Sequence, residues 1–456
     1  MSATAQRLNW KTTTFLLCAY GAIKELRPAV PFLTPYLVSP VKNFTDVQLY
    51  SQIYPFWTYS YLVVLIPVFF LTDLLRYKPV IVFEALGLIG TWALLLWGVS
   101  VFQMQLMQIV FGAASAAEIA YYSYIYGAVD DKHYKRVTSY VRGAALCGKT
   151  FAYATAQVLI STKIADYLLL NYISFVSVCS ILLIAVALPS LPKTKAAVLD
   201  SGTKLPEGDT LLTELDSEPK PAIVVLSADN NVRKYFHTIW RDFKSFLSDR
   251  FVLKWSIWWS LASCGMFQVW NYAQPLWAVL QNEQSGNVQN GVTECVATLL
   301  GAGVAFSMQF VTLDWSKYGE IVLFIISVID ALLLFFMAKA ENVFLSYGLY
   351  IIVCGSYQML ITVASHNIAS RLQSASYGLV FGWNTFVALL LQTILTLAVA
   401  DERGFALDIR AQFVVYALYY AAIAVVFLAM LMVQCCVNKN RCNSNGKRDT
   451  SRVVSE

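Results

Sequence analysis

Charge is what this chain of 456 residues has least of: Asp, Glu, Lys and Arg make up 13% of it, against 58% hydrophobic residues. So little charge excludes a soluble multidomain enzyme. We read no GxSxG elbow, no P-loop and no dinucleotide fingerprint in it. Without such machinery the chain is not expected to be an enzyme, nor to draw on its own ATP hydrolysis. Histidine is nearly missing: His133, His237 and His366 are the three. They lie far apart and not at metal-ligand spacing, so neither a metal nor a cofactor is expected. Nine cysteines are present but no CxxC pair. Most sit inside apolar stretches (Cys18, Cys147, Cys179, Cys264, Cys354) and are expected as free thiols; Cys435, Cys436 and Cys442, at a membrane edge, are candidates for palmitoylation. The net charge of +5 is spread over loops and tails, with no block that would suit nucleic acid.

What is there instead is apolar sequence in runs of ~20 residues, the length a helix needs to span a bilayer. Candidate spans are 12–37, 52–72, 79–100, 104–127, 138–161, 168–191, 251–280, 292–313, 319–338, 343–366, 375–400 and 410–435. No small-residue cleavage site follows the first run, which reads as a retained helix. The expected fold is an all-α integral membrane protein of about twelve spans. Residues 1–191 form a first six-helix half and 251–436 a second. Between them, 192–250 is a polar linker, expected to be disordered up to 230 and then to form an amphipathic helix from Val232 to Leu247. That helix either lies on the inner membrane surface or clamps the two halves. Residues 437–456 make a basic tail.

Lysine and arginine concentrate in the segments that share a side with the N-terminus, so both termini are expected in the cytoplasm of a multi-pass plasma-membrane protein. The one sequon, Asn43-Phe44-Thr45, then falls outside, as a glycosylation site at Asn43.

Polar residues within the spans are the functional candidates, because a charge facing lipid costs at least ~2.5 kcal/mol. Glu118 heads the group, in Phe111-Gly-Ala-Ala-Ser-Ala-Ala-Glu118-Ile-Ala-Tyr-Tyr122. Helical spacing puts Tyr121 and Tyr122 on its face, and the alanines let a neighbouring helix come close. Two readings stand for Glu118: a substrate contact, or one half of a structural pair with Lys149 of the fifth span. Lys24-Glu25 can likewise be a local ion pair or a cavity mouth. Trp57 lies deeper than an interfacial anchor and suits stacking on a ring or a cation. Asn271 is one of several amides in the seventh span, while Asn384 and Gln392 read as hydrogen-bonding glue between helices.

Two six-helix halves joined by a cytoplasmic linker resemble the major-facilitator type of secondary carrier, with a midplane site between halves that rock. No internal sequence repeat supports the twofold relation. Longer motifs go further: Arg27-Pro28, Pro31–Leu37, Lys42–Thr45, Pro55–Leu62, Pro67–Asp73, Leu75–Pro79, Glu118–Tyr126, Gly355–Tyr357, Val380–Phe386 and Arg403-Gly404 resemble the reduced folate and thiamine carrier family. The resemblance covers nearly every span and fails in the linker and tail.

It implies uptake of a water-soluble B vitamin, coupled to protons or to exchanged organic anions. Folate-type members are expected to carry arginine at the positions of Glu118 and Cys354 and lysine at that of Gln392. Thiamine-type members are expected to match Glu118, Tyr121, Trp57, Asn271 and Glu320. On these positions the chain is more similar to a thiamine carrier. It departs from both branches at Val30, where an acid is expected, and at Lys24 and Lys149, which are basic; Lys149 can serve as a relocated folate contact.

Overall fold

A computed structural model describes residues 10–75, 77–128, 134–190, 244, 248–283, 288–311, 313–369, 371 and 377–453. The expected linker disorder and amphipathic helix lie outside the described residues. Those described form helices and turns, with no strand among them. The first half comprises α1 (Trp10–Glu25), α2 (Leu33–Val38), α3 (Pro55–Leu74), α4 (Lys78–Trp97), α5 (Val101–Ala128), α6 (Tyr134–Ser161) and α7 (Tyr167–Ala187). The second comprises α8 (Arg250–Glu283), α9 (Asn290–Ser307), α10 (Trp315–Lys339), α11 (Val343–Ala369), α12 (Tyr377–Val399) and α13 (Ile409–Val453). Six of these, α4, α7 and α10 to α13, are long and apolar enough to cross a membrane by length and composition alone. The others hold most of the polar groups described below.

The first span is not the continuous helix expected over 12–37. It breaks after Glu25, passes through a 3-10 turn at Val30–Phe32 and resumes as α2. Pro28 and Pro31 have no amide hydrogen to donate, and a proline ring disfavours helical backbone at the residue before it. Elsewhere the ends follow ordinary capping rules. The Asp166 carboxylate accepts the Leu169 amide at 2.7 Å at the start of α7, and Asp314 accepts from Ser316 at the start of α10. Beyond the membrane-spanning part, Lys42 donates to the carbonyls of Leu96 (3.0 Å) and Gly98 (2.5 Å) at the end of α4. A cation is favoured at that negative end of the helix, although burial lowers the affinity of the Lys42 amine for its proton.

The two halves pack by one scheme. In the first, α1 lies on α6 and α7, α5 on α3 and α4, and α4 on α7. In the second, α8 lies on α12 and α13, α11 on α9 and α10, and α10 on α13. The internal twofold that no sequence repeat betrays is therefore present in the helix pairings. Close approach needs small residues: a Cβ on Gly148 of α6 would stand 2.2 Å from the Ala22 carbonyl oxygen of α1, and one on Gly112 of α5 would stand 2.7 Å from the Trp57 carbonyl of α3.

Contact between the halves runs through α3 with α12, α6 with α9, and α2 with α8. The hydrogen bonds across this seam cluster at the end of the bundle that carries α2. Gln274 of α8 joins Thr34 and Val30, and Gln157 of α6 accepts from the amides of Gly291 and Val292. Tyr59 donates to Asp401 at 2.5 Å, Gln392 to Thr58 at 3.3 Å, and the Glu402 amide to the Ser51 carbonyl. The bundle is thus sealed at that end. Toward the end where the 190–250 connection attaches, Gly143 of α6 has no neighbour within 4 Å of an added Cβ, and Arg142 beside it is exposed.

Candidate functional site

Lys24 organises the centre of the first half. Its ammonium lies 2.8 Å from Glu84 of α4 and 2.8 Å from Glu118 of α5. Tyr20, one turn earlier on α1, also donates to Glu84, at 3.0 Å. The two carboxylates differ in exposure, with the Glu84 side chain 2% and the Glu118 side chain 38% accessible. One acid is therefore locked in the protein and the other is left partly accessible. Of the two readings of Glu118, the pair with Lys149 is not formed: Lys24 of α1 reaches it instead. Nor do Lys24 and Glu25 pair with each other; Glu25 pairs with Arg27 at 3.1 Å.

Aromatic rings line this centre. The Lys24 ammonium stands 5.1 Å from the Tyr121 ring and 6.0 Å from that of Tyr122. Arg142 also stands 5.9 Å from the Tyr122 ring. Tyr121 is buried and donates to the Leu17 carbonyl at 2.8 Å, whereas Tyr122 is half-buried. Trp57 donates to Ser115, one turn before Glu118, at 3.2 Å, and its ring lies 5.5 Å from Tyr61. Trp57 thus reaches α5 through Ser115, one turn before Glu118, and Tyr121 and Tyr122 flank Lys24.

A second polar layer lies toward the sealed end. Lys149 stands 5.6 Å from the Tyr153 ring and feels the charges of Glu25 and Glu294. No carboxylate among the described residues lies within ion-pair distance of it. Glu294 of α9 accepts from Tyr350 at 2.9 Å, and Arg27 stacks 5.6 Å from Trp92. Asn271 of α8 has a buried Nδ2 with no protein partner among the described residues, a donor left over for a ligand or water. Glu320 is elsewhere. It pairs with Lys254 at 2.7 Å inside the second half, on α10 and α8, and is not brought to Glu118. Asn384 donates to Ser256 and Gln392 to Thr58, both as inter-helix ties. The sequon residues Asn43 and Thr45 are exposed around a buried Phe44.

Four charged residues were missed in the sequence: Glu84, Arg142, Lys254 and Asp330. Glu84 and Asp330 sit in apolar runs, as Glu118 does, and the rule that singles out Glu118 applies equally to them. Asp330 is buried on α10 and accepts from Ser356 at 2.6 Å. One spacing was also passed over. Gly143-Ala-Ala-Leu-Cys-Gly148-Lys149-Thr150 matches the P-loop pattern. Those residues lie inside continuous α6, where backbone amides are spent on the helix and cannot cradle a phosphate. Gly148 there serves contact with α1, and the match is a coincidence of spacing.

Paired six-helix halves with a charged, aromatic-lined cluster inside the first suit a solute carrier. Solved structures agree on the fold. The chain superposes on a mutant of the nucleoside transporter NupG with a TM-score of 0.63 over 92% of this chain and 99% of that one, at 14% identity. For the POT family transporter PepTSo the TM-score is 0.62, over 93% and 98%, at 12% identity. In sequence it is 50% identical to Folate transporter 1 of Caenorhabditis elegans, over 93% of each chain. It is 41% identical to Thiamine transporter 1 of Mus musculus, over 94% of this chain and 91% of that one. It is 38% identical to human Thiamine transporter 2 with the same coverage. The model of the reduced folate carrier family matches residues 8–415, so this membrane protein belongs to that family of transporters.

Proposed function

We propose that the chain takes up a B vitamin of the thiamine and folate class by alternating access, with the α2 end facing outward and both termini in the cytoplasm of a plasma-membrane protein. The observation that carries the reading is Glu118. One of its oxygens is held by Lys24, and more than a third of the side chain is accessible. Both vitamins carry an amino-substituted pyrimidine edge that donates hydrogen bonds, and a carboxylate accepts them strongly. Trp57 and Tyr122 supply the faces that cover a flat ring.

The other end of the substrate distinguishes the two. Around Lys24 two carboxylates meet one ammonium, a surplus of negative charge that favours the thiazolium of thiamine, and the relatives named thiamine transporters support that choice. Lys149 favours the second reading. A cation without an ion-pair partner among the described residues would receive the carboxylates of a reduced folate, as would suit the relative named Folate transporter 1. The seal at the α2 end corresponds to an inward-open state. Coupling to protons or to exchanged organic anions belongs to the same proposal.

Labelled thiamine and labelled reduced folate, given side by side to cells expressing the chain, decide between them. Glu118→Gln is expected to cut thiamine uptake at least about tenfold, the loss of ~1.4 kcal/mol or more of charged hydrogen bonding. Folate uptake that survives in Glu118→Gln and is lost in Lys149→Ala moves the substrate anchor to Lys149.

A further inference from the structure

Lys24 is the most unusual charge in the molecule. Its side chain is 5% exposed and sits at 2.8 Å from each of two acids on different helices. One carboxylate is enough to neutralise one ammonium, so the second pairing needs its own explanation. Burial of an extra ion costs several kcal/mol, which a fold does not sustain for packing alone. The asymmetry supplies the explanation. Glu84 is closed in, fixed by Tyr20 as well as by Lys24. Glu118 is the acid left accessible, 38% against 2% for Glu84. Glu25 does not compete for Lys24, since it is engaged by Arg27 at 3.1 Å; the nearby Arg142 is a cation, 5.9 Å from the Tyr122 ring.

We infer that Lys24 is a tethered stand-in for the substrate's positive or hydrogen-donating edge. In the empty carrier it neutralises Glu118, and when substrate arrives it retires onto Glu84 and yields Glu118. Glu84 is then a positioning residue, the acid that keeps Lys24 compensated while Glu118 is occupied. The assignment rests on Glu118 being the substrate anchor and extends it to the return of the empty carrier. A carrier that carries a bare carboxylate through its closed state meets a desolvation barrier, and Lys24 removes that barrier without substrate.

The test uses two variants of the full chain. Glu84→Gln leaves Lys24 with Glu118 alone, so substrate must break the pair with no acid for Lys24 to retire to. The double variant Lys24→Met with Glu84→Gln removes the stand-in and its resting place together, and leaves no uncompensated buried ion. Zero-trans uptake and counterflow exchange of labelled vitamin are measured in proteoliposomes. The expected result is a KM raised roughly tenfold in Glu84→Gln, restored by Glu84→Asp. In the double variant, exchange continues while net uptake falls at least about tenfold, because exchange never asks the empty carrier to cross over. Net uptake and exchange that fall together, with KM unchanged, would make the cluster merely structural and overturn the assignment.

A substrate-independent arm separates this from the vitamin reading. A membrane-permeant carbodiimide modifies protonated carboxyls, and peptide mass spectrometry reports modification of Glu118. Slow modification in the parent and at least about tenfold faster modification in the double variant is expected, since the Lys24 ammonium covers one Glu118 oxygen at 2.8 Å in the parent and is gone in the double variant. Equal rates sink the assignment whichever vitamin is carried. A contrast in rates with no uptake of either vitamin would overturn the vitamin reading and leave Lys24 in its role.

Discussion

At the residue scale, several of the buried ions in this molecule sit in compensated groups. Lys24 with its two acids, Glu25 with Arg27, and Lys254 with Glu320 are such groups. The last pair gives a clean test of structure without transport, since it lies within one half. Lys254→Met strands Glu320 and is expected to destabilise the purified protein by about 3–5 kcal/mol, read as a lowered midpoint of thermal unfolding in detergent. Lys254→Met combined with Glu320→Gln removes both charges and should recover most of that loss. The sequence made half of this chemistry visible. Glu118 and Lys149 stand out because a charge in an apolar run is costly, but the same cost does not say which cation meets which acid. Lys24 reaches Glu118 only through the fold, from a residue 94 positions away. Sequence proximity pointed instead to Glu25, its neighbour. Glu320, which the resemblance alone singled out, pairs with Lys254 inside the second half.

At the scale of elements, the helices were legible and their interruptions less so. Apolar runs place nearly all the spans because bilayer thickness and helical rise fix their length. The first span was read through its prolines as one helix, although it divides into α1 and α2 around Pro28 and Pro31. That division is what leaves Lys24 at a helix end, close to α4 and α5. The approach of α6 to α1 depends equally on a residue with no side chain. Gly148→Val would drive a side chain into the Ala22 carbonyl, where a Cβ already falls at 2.2 Å. Vitamin uptake per molecule at the surface is expected to fall at least about tenfold, since overpacking of ~1–3 kcal/mol displaces Lys149 and Lys24 together. Surface biotinylation checks that the loss is not one of expression.

At the scale of the whole molecule, the twofold scheme of helix pairing was inferred from topology and is present in the packing, while the sealed end could not be read from the sequence at all. Which end closes depends on side chains from both halves, such as Tyr59 with Asp401 and Gln157 with the start of α9. Locking that end is a direct test of rocking. With Tyr59→Cys and Asp401→Cys joined by a short bifunctional thiol reagent, uptake from the α2 side should stop, and reduction of a cleavable reagent should restore it. Uptake that persists through the crosslink would show that substrate does not pass by this seam.

The strap between α1 and α2 ties these scales together. The Ala29 amide donates to Ser174 of α7 in the first half, at 3.0 Å. The carbonyl of the very next residue, Val30, accepts from Gln274 of α8 in the second, at 2.9 Å. Two consecutive residues are therefore gripped by opposing bodies, like a spindle held in two chucks. Any tilt of one body against the other must be taken up as torsion in that short stretch of backbone, or by letting go of one grip. Its near end carries Arg27, whose guanidinium is bonded to Glu25 two residues back. Twisting the spindle turns a charge, so at this joint mechanical and electrostatic work are done by a single motion.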